Sequence, residues 1–114
     1  MADCLFCKMV AGEIKPDMVK ETDELIAFRD INPQAATHIL VVPRKHISTA
    51  NELTNADAEL VGKLVLTAQE IARQEGIAES GYRLVMNCNA GAGQTVFHIH
   101  LHLLGGRQMN WPPG

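Results

Sequence analysis

Several features that would narrow the function of this chain are scarce in its sequence. The 114 residues include only three cysteines, and aromatic residues make up 4% of the composition. An odd number of cysteines in a chain without an export signal argues against a disulfide framework. No segment approaches the roughly 20 apolar residues that span a bilayer, and no basic stretch leads into an apolar run at the N-terminus. We therefore expect a cytoplasmic protein without a membrane partner.

An excess of positive charge is also absent. Ten Lys and Arg residues stand against thirteen Asp and Glu residues, which gives a net charge of −3 and a pI near 5.9. Binding to DNA or RNA depends on many basic side chains that neutralise phosphates. We therefore expect no nucleic-acid partner, although a small phosphate ligand is compatible with this charge. The length and the 46% hydrophobic content predict one domain over residues 1–114.

Hydrophobic periodicity predicts one long helix and one short helix. Apolar residues recur every three or four positions between Leu60 and Ala72, after a possible cap at Thr54 and before a glycine stop at Gly76. This pattern predicts a helix from about Asp57 to Glu75. A shorter helix is expected over Leu5 to Ala11.

Short apolar runs bounded by turn residues predict the strands. The predicted strands are Leu25 to Phe28, Ile39 to Val42, Tyr82 to Met86 and Val96 to Leu104. The short links between neighbouring strands favour antiparallel pairing, with the long helix across one face of the sheet. The predicted fold class is α+β, with an antiparallel meander, one long helix and a short N-terminal helix.

The most informative segment is Phe97 to Leu104, where histidine and apolar residues alternate. Three of the five histidines of the chain lie here. Because side chains alternate across a strand, His98, His100 and His102 are expected on one face and the intervening apolar residues on the other. One such histidine alone is usually a hydrogen-bonded structural residue, but three on one face favour catalysis. A catalytic zinc site on a His-x-His pair is the alternative that the pattern leaves open.

A loop of small residues, Asn87 to Thr95, leads into this segment. Glycines allow backbone N–H groups to approach an anion, and Asn87, Gln94 and Thr95 add neutral donors. The loop alone is a weak signal, because glycine-rich turns are common. Beside the histidines it favours a phosphate site over a metal site.

The run His98 to Leu104 resembles the signature of the histidine triad family. The similarity extends over most of the chain, through Asp30 to His38, Val42 to Ile47 and the segment from Gly105 to Gly114. These stretches resemble the histidine triad nucleotide-binding (Hint) branch, whose members hydrolyse nucleoside phosphoramidates. The resemblance implies binding of purine nucleoside monophosphates and hydrolysis of their phosphoramidates.

The resemblance also implies catalytic roles. The middle histidine of the triad, His100, is the expected nucleophile, and it would form a covalent nucleotidyl intermediate that water later cleaves. A neutral imidazole suits this role, provided that an acceptor holds its other nitrogen. His102 is expected beside the phosphate and the leaving group, while His38 and His98 support the cluster. No cofactor is expected to be required for catalysis.

The positions that match the family's nucleoside pocket are apolar apart from one acid. They are Phe6, Met9, Phe28, Asp30 and Ile31, and Asp30 is expected to hold the ribose hydroxyls. The positions on the phosphate and leaving-group side are Asn87, Gly93, Gln94, Thr95 and His102. The alternatives are that the apolar members are ordinary core residues and that Asp30 shapes a turn.

Cys4 and Cys7 have a spacing that allows two thiolates to share one metal, although a structural zinc site needs four ligands. His46 and His98 are the candidate remaining ligands, and some histidine triad proteins with this cysteine pair carry zinc in that way. The alternative is two reduced cysteines packed in a short helix. Zinc, if bound, is expected to be structural.

Proteins of the Hint branch are homodimers whose C-terminal tails approach the partner's active site. The resemblance therefore implies a homodimer built partly on the long helix and the strand near Tyr82, with Trp111 selecting the leaving group across the interface. Trp111 could equally be an anchor for the tail. A nucleotide-binding or scaffold protein with incidental hydrolysis, and a nucleotidyl transferase, remain the alternative functions.

Overall fold

The computed structural model describes residues 3–114 and contains five strands and two α-helices. The α-helices are α1 (Leu5–Val10) and α2 (Ala58–Gln74), and the strands are β1 (Met18–Glu21), β2 (Leu25–Arg29), β3 (Thr37–Pro43), β4 (Tyr82–Val85) and β5 (Leu101–Gly105). Single turns of 3₁₀ helix lie at Ala50–Glu52, Asn55–Asp57 and Ala90–Ala92. Within the described range, no helix has the length and apolar character needed to cross a membrane.

The strands form one antiparallel sheet in the order β1-β2-β3-β5-β4. The first three strands are a meander, and β5 lies between β3 and β4. The predicted α+β fold is confirmed. Both predicted helices are present within one residue of their expected ends, because Asp57 is the N-cap of α2 and Ala11 is the C-cap of α1.

The start of α2 shows how the sequence fixes a helix boundary. The Thr54 hydroxyl accepts the Ala56 N–H at 3.3 Å, and the Asp57 carboxylate accepts the Thr54 N–H at 3.0 Å. This reciprocal cap satisfies N–H groups that have no partner inside a helix. It closes a 3₁₀ turn just before α2, and Gly76, with a φ of 76°, follows the other end of the helix.

The two faces of the sheet have different partners. One face packs against α2 in a cluster that includes Ile39, Leu103 and Ile71, all fully buried. The opposite face packs against α1, where Phe6 contacts a second buried cluster with Phe28 and Leu40 among its members. The central strands are therefore apolar on both faces, and the α1 face is the one that carries the histidines of β3 and β5.

The predicted strand from Val96 to Leu104 is too long. β5 begins only at Leu101, where its pairing with Val41 of β3 starts. Although β3 continues to Pro43, its pairing does not extend to the residues before Leu101, and Ile99 instead donates its N–H to the Ile47 carbonyl at 2.8 Å. His98 and His100 therefore precede the regular strand, and only His102 lies within it.

Strand β1 was not predicted from the sequence. Its residues Met18–Glu21 combine two apolar and two charged side chains, none of which is buried. β1 is an edge strand with an irregular register against β2. Such a strand lacks the clear alternation on which sequence-based assignment depends.

Packing of α2 against the sheet should dominate the stability of this fold. Ile71 is fully buried in the α2 cluster, whereas Ile14 is 37% exposed in the loop after α1. We expect Ile71→Ala to lower the free energy of unfolding by about 2–5 kcal/mol, because it removes buried methyl groups and leaves a cavity. Ile14→Ala, the same chemical change at the surface, should lower it by less than about 1 kcal/mol. Urea denaturation of both variants tests this, and equal losses would contradict the described packing.

Candidate active site

A cavity of about 310 Å³ opens on the α1 face of the sheet. Its apolar walls come from α1, from the end of β2 and from the segment before β5. Eight residues predicted for the site line it: Phe6, Met9, Phe28, Asp30, Ile31, Thr95, His100 and His102. The apolar members, the single carboxylate and the two imidazoles therefore share one concave space, as ligand sites commonly do.

Five further residues line the same cavity but were not predicted from the sequence. They are Leu5, Pro16, Arg29, Leu40 and Val96. Helical spacing could have indicated Leu5, which lies four residues before Met9 on α1. Strand alternation could have indicated Leu40 and Val96, each two residues from a histidine of the cluster.

A hydrogen bond to a nearby backbone carbonyl holds the ring of His100. Its Nδ1 lies 2.8 Å from the carbonyl oxygen of His98, so that Nδ1 carries a proton and donates it to that oxygen. In the neutral imidazole the other nitrogen, Nε2, then carries a lone pair. His100 is 8% exposed, and burial lowers the pKa of its imidazole below the usual value. The ring is therefore neutral and carries its lone pair on Nε2 at the cavity wall.

His38 and His102 form a second hydrogen-bonded unit. The backbone N–H of Gln34 donates to His38 Nδ1 at 3.0 Å, and His38 Nε2 lies 2.9 Å from His102 Nδ1. One carboxylate oxygen of Asp30 is 3.4 Å from His38 Nε2. The rings of His100 and His102 are 4.9 Å apart between centroids. His38 does not line the cavity but contacts it through His102.

Burial controls the charge of these histidines. It lowers the pKa of His38, and it lowers the pKa of His102 to about 4, with the neighbouring imidazoles of His100 and His38 adding to the effect. The Asp30 carboxylate acts in the opposite direction on both rings but does not outweigh burial. The cluster is therefore uncharged near neutral pH.

The glycine-rich loop contributes less directly than the sequence suggested. Gly93 and Gln94 use their backbone N–H groups within the loop, donating to Ala90 and Asn89 at 3.0 and 3.1 Å. The side-chain amide of Gln94 is buried, accepts the Asn89 N–H at 2.7 Å and donates to the Ser48 carbonyl at 2.8 Å. Neither Gly93 nor Gln94 lines the cavity, and Gln94 instead fastens the loop to the chain before α2.

Asn87 and Trp111 lie together at another place. They line a separate opening of about 480 Å³ along the edge strand β4 and the C-terminal residues. Trp111 is 83% exposed. Arg83 holds the tail by donating to the Asn110 carbonyl at 2.9 Å. The structure therefore does not bring Asn87 or Trp111 of the same chain to the cavity that holds His100.

The predicted metal ligands Cys4, Cys7, His46 and His98 converge beside α1, with their ligand atoms within 4.8 Å of one another. His98 Nε2 donates to the Pro43 carbonyl at 2.7 Å, which leaves Nδ1 as a lone pair directed at the cluster. This Nδ1 is 3.4 Å from Cys4 Sγ, 3.6 Å from Cys7 Sγ and 3.2 Å from His46 Nδ1.

These separations match a tetrahedral zinc site. With bonds of about 2.0–2.1 Å to nitrogen and about 2.3 Å to sulfur, neighbouring ligand atoms lie roughly 3.3 Å (two nitrogens) or 3.6 Å (nitrogen and sulfur) apart. The carbonyl that accepts from His98 also supplies the outer hydrogen bond that fixes a ligating imidazole. Burial and the neighbouring Cys4 raise the pKa of the Cys7 thiol, so a cation is needed to hold Cys7 as a thiolate. The donor set fits zinc.

A second convergence of metal-ligating groups, Asp30, His38 and His102, does not fit a metal. His38 Nδ1 accepts the Gln34 N–H, so the proton of the neutral ring is on Nε2. That nitrogen is the one that faces Asp30 and His102, and a protonated nitrogen cannot bind a cation. These three residues therefore form a hydrogen-bonded network.

Comparison with known proteins identifies the family of this chain. A model of the HIT domain family matches residues 11–109 of the chain. The purine nucleoside phosphoramidase of Escherichia coli strain K12 is 49% identical over 107 residues, which cover 94% of this chain and 90% of that protein. An uncharacterized HIT-like protein of Synechococcus elongatus is 50% identical over 112 residues, which cover 98% of this chain and 97% of that protein.

Solved structures show the same relationship. A HIT family hydrolase from Legionella pneumophila superposes with a TM-score of 0.97 at 55% identity, covering 98% of this chain and 100% of that chain. A HIT family hydrolase from Clostridium thermocellum has a TM-score of 0.93 at 42% identity, covering 96% of both chains. The fold, the arrangement of the histidines and these similarities together show that the chain belongs to the HIT domain family and is similar to its hydrolases.

Proposed function

We propose that this protein hydrolyses purine nucleoside phosphoramidates through a covalent nucleotidyl intermediate on His100. The observation that carries the proposal is the hydrogen bond from His100 Nδ1 to the His98 carbonyl, which leaves Nε2 as a nucleophile beside an apolar cavity. The similarity to a purine nucleoside phosphoramidase of Escherichia coli supports this substrate class.

We propose that different walls of the cavity contact the base and the ribose. The aromatic rings of Phe6 and Phe28 meet edge to face at 5.6 Å and form its floor, while Ile31 is 99% exposed at its rim and is free to cover a bound base. One oxygen of Asp30 accepts the Asn32 N–H at 2.8 Å. Since the carboxylate is partly exposed at the cavity, its remaining acceptor positions suit the ribose hydroxyls.

The reaction that we propose has two displacements at phosphorus. In the first, the Nε2 lone pair of His100 forms the bond to phosphorus, the phosphorus–nitrogen bond breaks, and the leaving nitrogen takes a proton from solvent. In the second, water attacks phosphorus, loses a proton to solvent, and releases His100 and the nucleoside monophosphate. Splitting one displacement into two is the usual advantage of a covalent intermediate.

Charge that develops on the phosphoryl oxygens requires hydrogen-bond donors beside His100. The Thr95 hydroxyl and the His102 imidazole both line the cavity and can supply them. We propose that these donors make a cofactor unnecessary for the reaction. His38 supports His102, and His98 supports His100 through its carbonyl oxygen.

Cys4, Cys7, His46 and His98 would hold a structural zinc ion. The ion would supply cross-linking of α1 to the sheet and no step of the reaction. Phe6 lies between the two cysteines in the sequence, and its ring is 5.0 Å from the ring of His100. The cluster thus anchors the helix that provides one wall of the nucleoside cavity.

We also propose a cytoplasmic homodimer in which each chain is a single HIT domain. Val65 and Leu66 on α2 are 42% and 61% exposed, and β4 is an edge strand. Apolar side chains on a helix beside an unpaired strand edge suit a second copy of this chain. In such a dimer Trp111 of the partner subunit would select the leaving group.

Replacement of the nucleophile should separate catalysis from binding. We expect His100→Ala to reduce hydrolysis of adenosine 5'-phosphoramidate to no more than about 1% of wild type, because the bond to phosphorus cannot form. Binding of AMP, measured by calorimetry on the same samples, should change by less than about tenfold. Hydrolysis above a few per cent would rule out a covalent His100 route, and wild-type protein that binds AMP without turnover would favour a binding protein.

Substitution of Asp30 tests the assignment of the ribose site. Asp30→Ala should weaken AMP binding by about tenfold or more while changing phosphate binding little, because it removes acceptors for hydroxyls that phosphate lacks. Asp30→Asn, which keeps the shape and one acceptor, should have a smaller effect. Equal losses for AMP and inorganic phosphate would show that Asp30 only maintains the fold.

Metal content tests the Cys and His cluster. Protein purified without chelator should contain one zinc per chain by elemental analysis, and the Cys4→Ser/Cys7→Ser variant should contain much less. Its thermal midpoint should also fall, because the cross-link is lost. Cys88→Ser, a change outside the cluster, is the control. Equal zinc in the double variant and the control would exclude this site.

The homodimer is tested by sedimentation. Wild-type protein at micromolar concentration should sediment as a dimer. Leu66→Glu should shift it toward monomer, because a charge replaces an exposed apolar side chain at the proposed interface. A wild-type monomer at this concentration would refute the proposed assembly.

A further inference from the structure

The hydrogen bonds around His102 assign its tautomer and charge. The Gln34 N–H is a backbone group that can only donate, and it lies 3.0 Å from His38 Nδ1. His38 Nδ1 must therefore be an acceptor, and the proton of this ring is on Nε2. His38 Nε2 is 2.9 Å from His102 Nδ1, so His102 Nδ1 must accept in turn. The proton of His102 is then on Nε2, the ring nitrogen that is not bonded to His38.

We propose that His38 is a positioning residue that keeps His102 neutral, so that His102 acts on the phosphoryl group as a hydrogen-bond donor and not as a proton-transferring imidazolium acid. That His102 acts on a phosphoryl group rests on the proposed function. The tautomer of His102 is a property of the free protein and is independent of that function.

The geometry opposes a second proton on His102. Protonation of His102 Nδ1 would place one N–H group against the N–H of His38. His38 could not relieve the clash by moving its proton to Nδ1, because the Gln34 N–H occupies that side. The backbone N–H of Gln34 therefore fixes the donor and acceptor roles in the hydrogen bonds that link Gln34, His38 and His102.

The titratable groups that act on His102 come from three parts of the fold. They are His38 on β3, His100 before β5 and Asp30 after β2. The two imidazoles and burial disfavour a charge on His102, while Asp30 favours it. Together they lower the pKa of His102 to about 4, which agrees with the hydrogen-bond pattern. A neutral imidazole donor adds no charge at the site and needs no proton to be returned between turnovers.

Long-range proton–nitrogen correlation spectra of nitrogen-15-labelled protein test the assignment without substrate. We expect His102 to show one protonated nitrogen, Nε2, and one unprotonated nitrogen, Nδ1, from pH 5 to pH 8. Signals are assigned with single His→Gln variants. A proton on Nδ1, or a titration midpoint of His102 within this pH range, would overturn the proposal.

Two variants of His38 separate positioning from simple packing. His38→Gln keeps an amide N–H that can donate to His102, whereas His38→Leu removes the donor and keeps an apolar side chain. We expect the pKa of His102 to rise by about one unit or more in His38→Leu, and to rise less in His38→Gln. Circular dichroism and thermal melting show whether each variant folds.

Kinetics of the same variants complete the test. The value of kcat should be at least about tenfold higher in His38→Gln than in His38→Leu. The kcat of His38→Leu should also fall at low pH, where His102 becomes protonated. Equal kcat values and identical pH profiles would leave His38 with a structural role only and would overturn the proposal. Wild-type protein without hydrolysis would contradict the proposed function, while its spectra would still decide the tautomer of His102.

Discussion

The chemistry of this protein depends on backbone groups that fix which nitrogen of each imidazole carries the proton. The Pro43 carbonyl accepts from His98, the His98 carbonyl accepts from His100, and the Gln34 N–H donates to His38. The hydrogen bond from His38 then determines which nitrogen of His102 carries the proton. Because backbone atoms move only with the fold, each ring presents a defined lone pair or N–H group. One fold thereby gives four identical side chains different hydrogen-bonding states, which suit the proposed roles of a metal ligand, a nucleophile, a relay and a donor.

The two faces of the sheet have different roles, one in stability and the other in holding the histidines. The α2 face is an apolar core, and the other face places the histidines under the short helix α1. Phe6 connects the two sites on this face, because its ring lies 5.9 Å from His98 and 5.0 Å from His100. A loss of order in α1 would therefore affect both the Cys and His cluster and the cavity beside His100.

Local patterns in the sequence were sufficient to predict α2 and three of the strands, and the family resemblance named eight of the residues that line the cavity. The predictions were wrong where contacts between distant segments determine the local structure. The predicted strand from Val96 is shortened because pairing with β3 starts only at Leu101 and Ile99 hydrogen-bonds to Ile47, and no pattern near Val96 carries that information. Gln94 was predicted to contact the substrate, but its amide is used by Ser48 and Asn89, and such partners depend on how distant segments meet. The anchoring of His38 by Gln34 is likewise visible only once the loop before β3 has its shape.

The central claim is that the Nε2 lone pair of His100 forms a covalent bond to phosphorus. Intact mass spectrometry of the protein, quenched under alkaline conditions during turnover of a nucleoside phosphoramidate, tests this most directly, since a phosphorus–nitrogen bond to histidine is labile in acid. The account predicts a transient mass increase of one nucleotidyl group per chain, and peptide mapping should place it on His100. Steady turnover with no modified chain at any time point, or a modification on another residue, would contradict it.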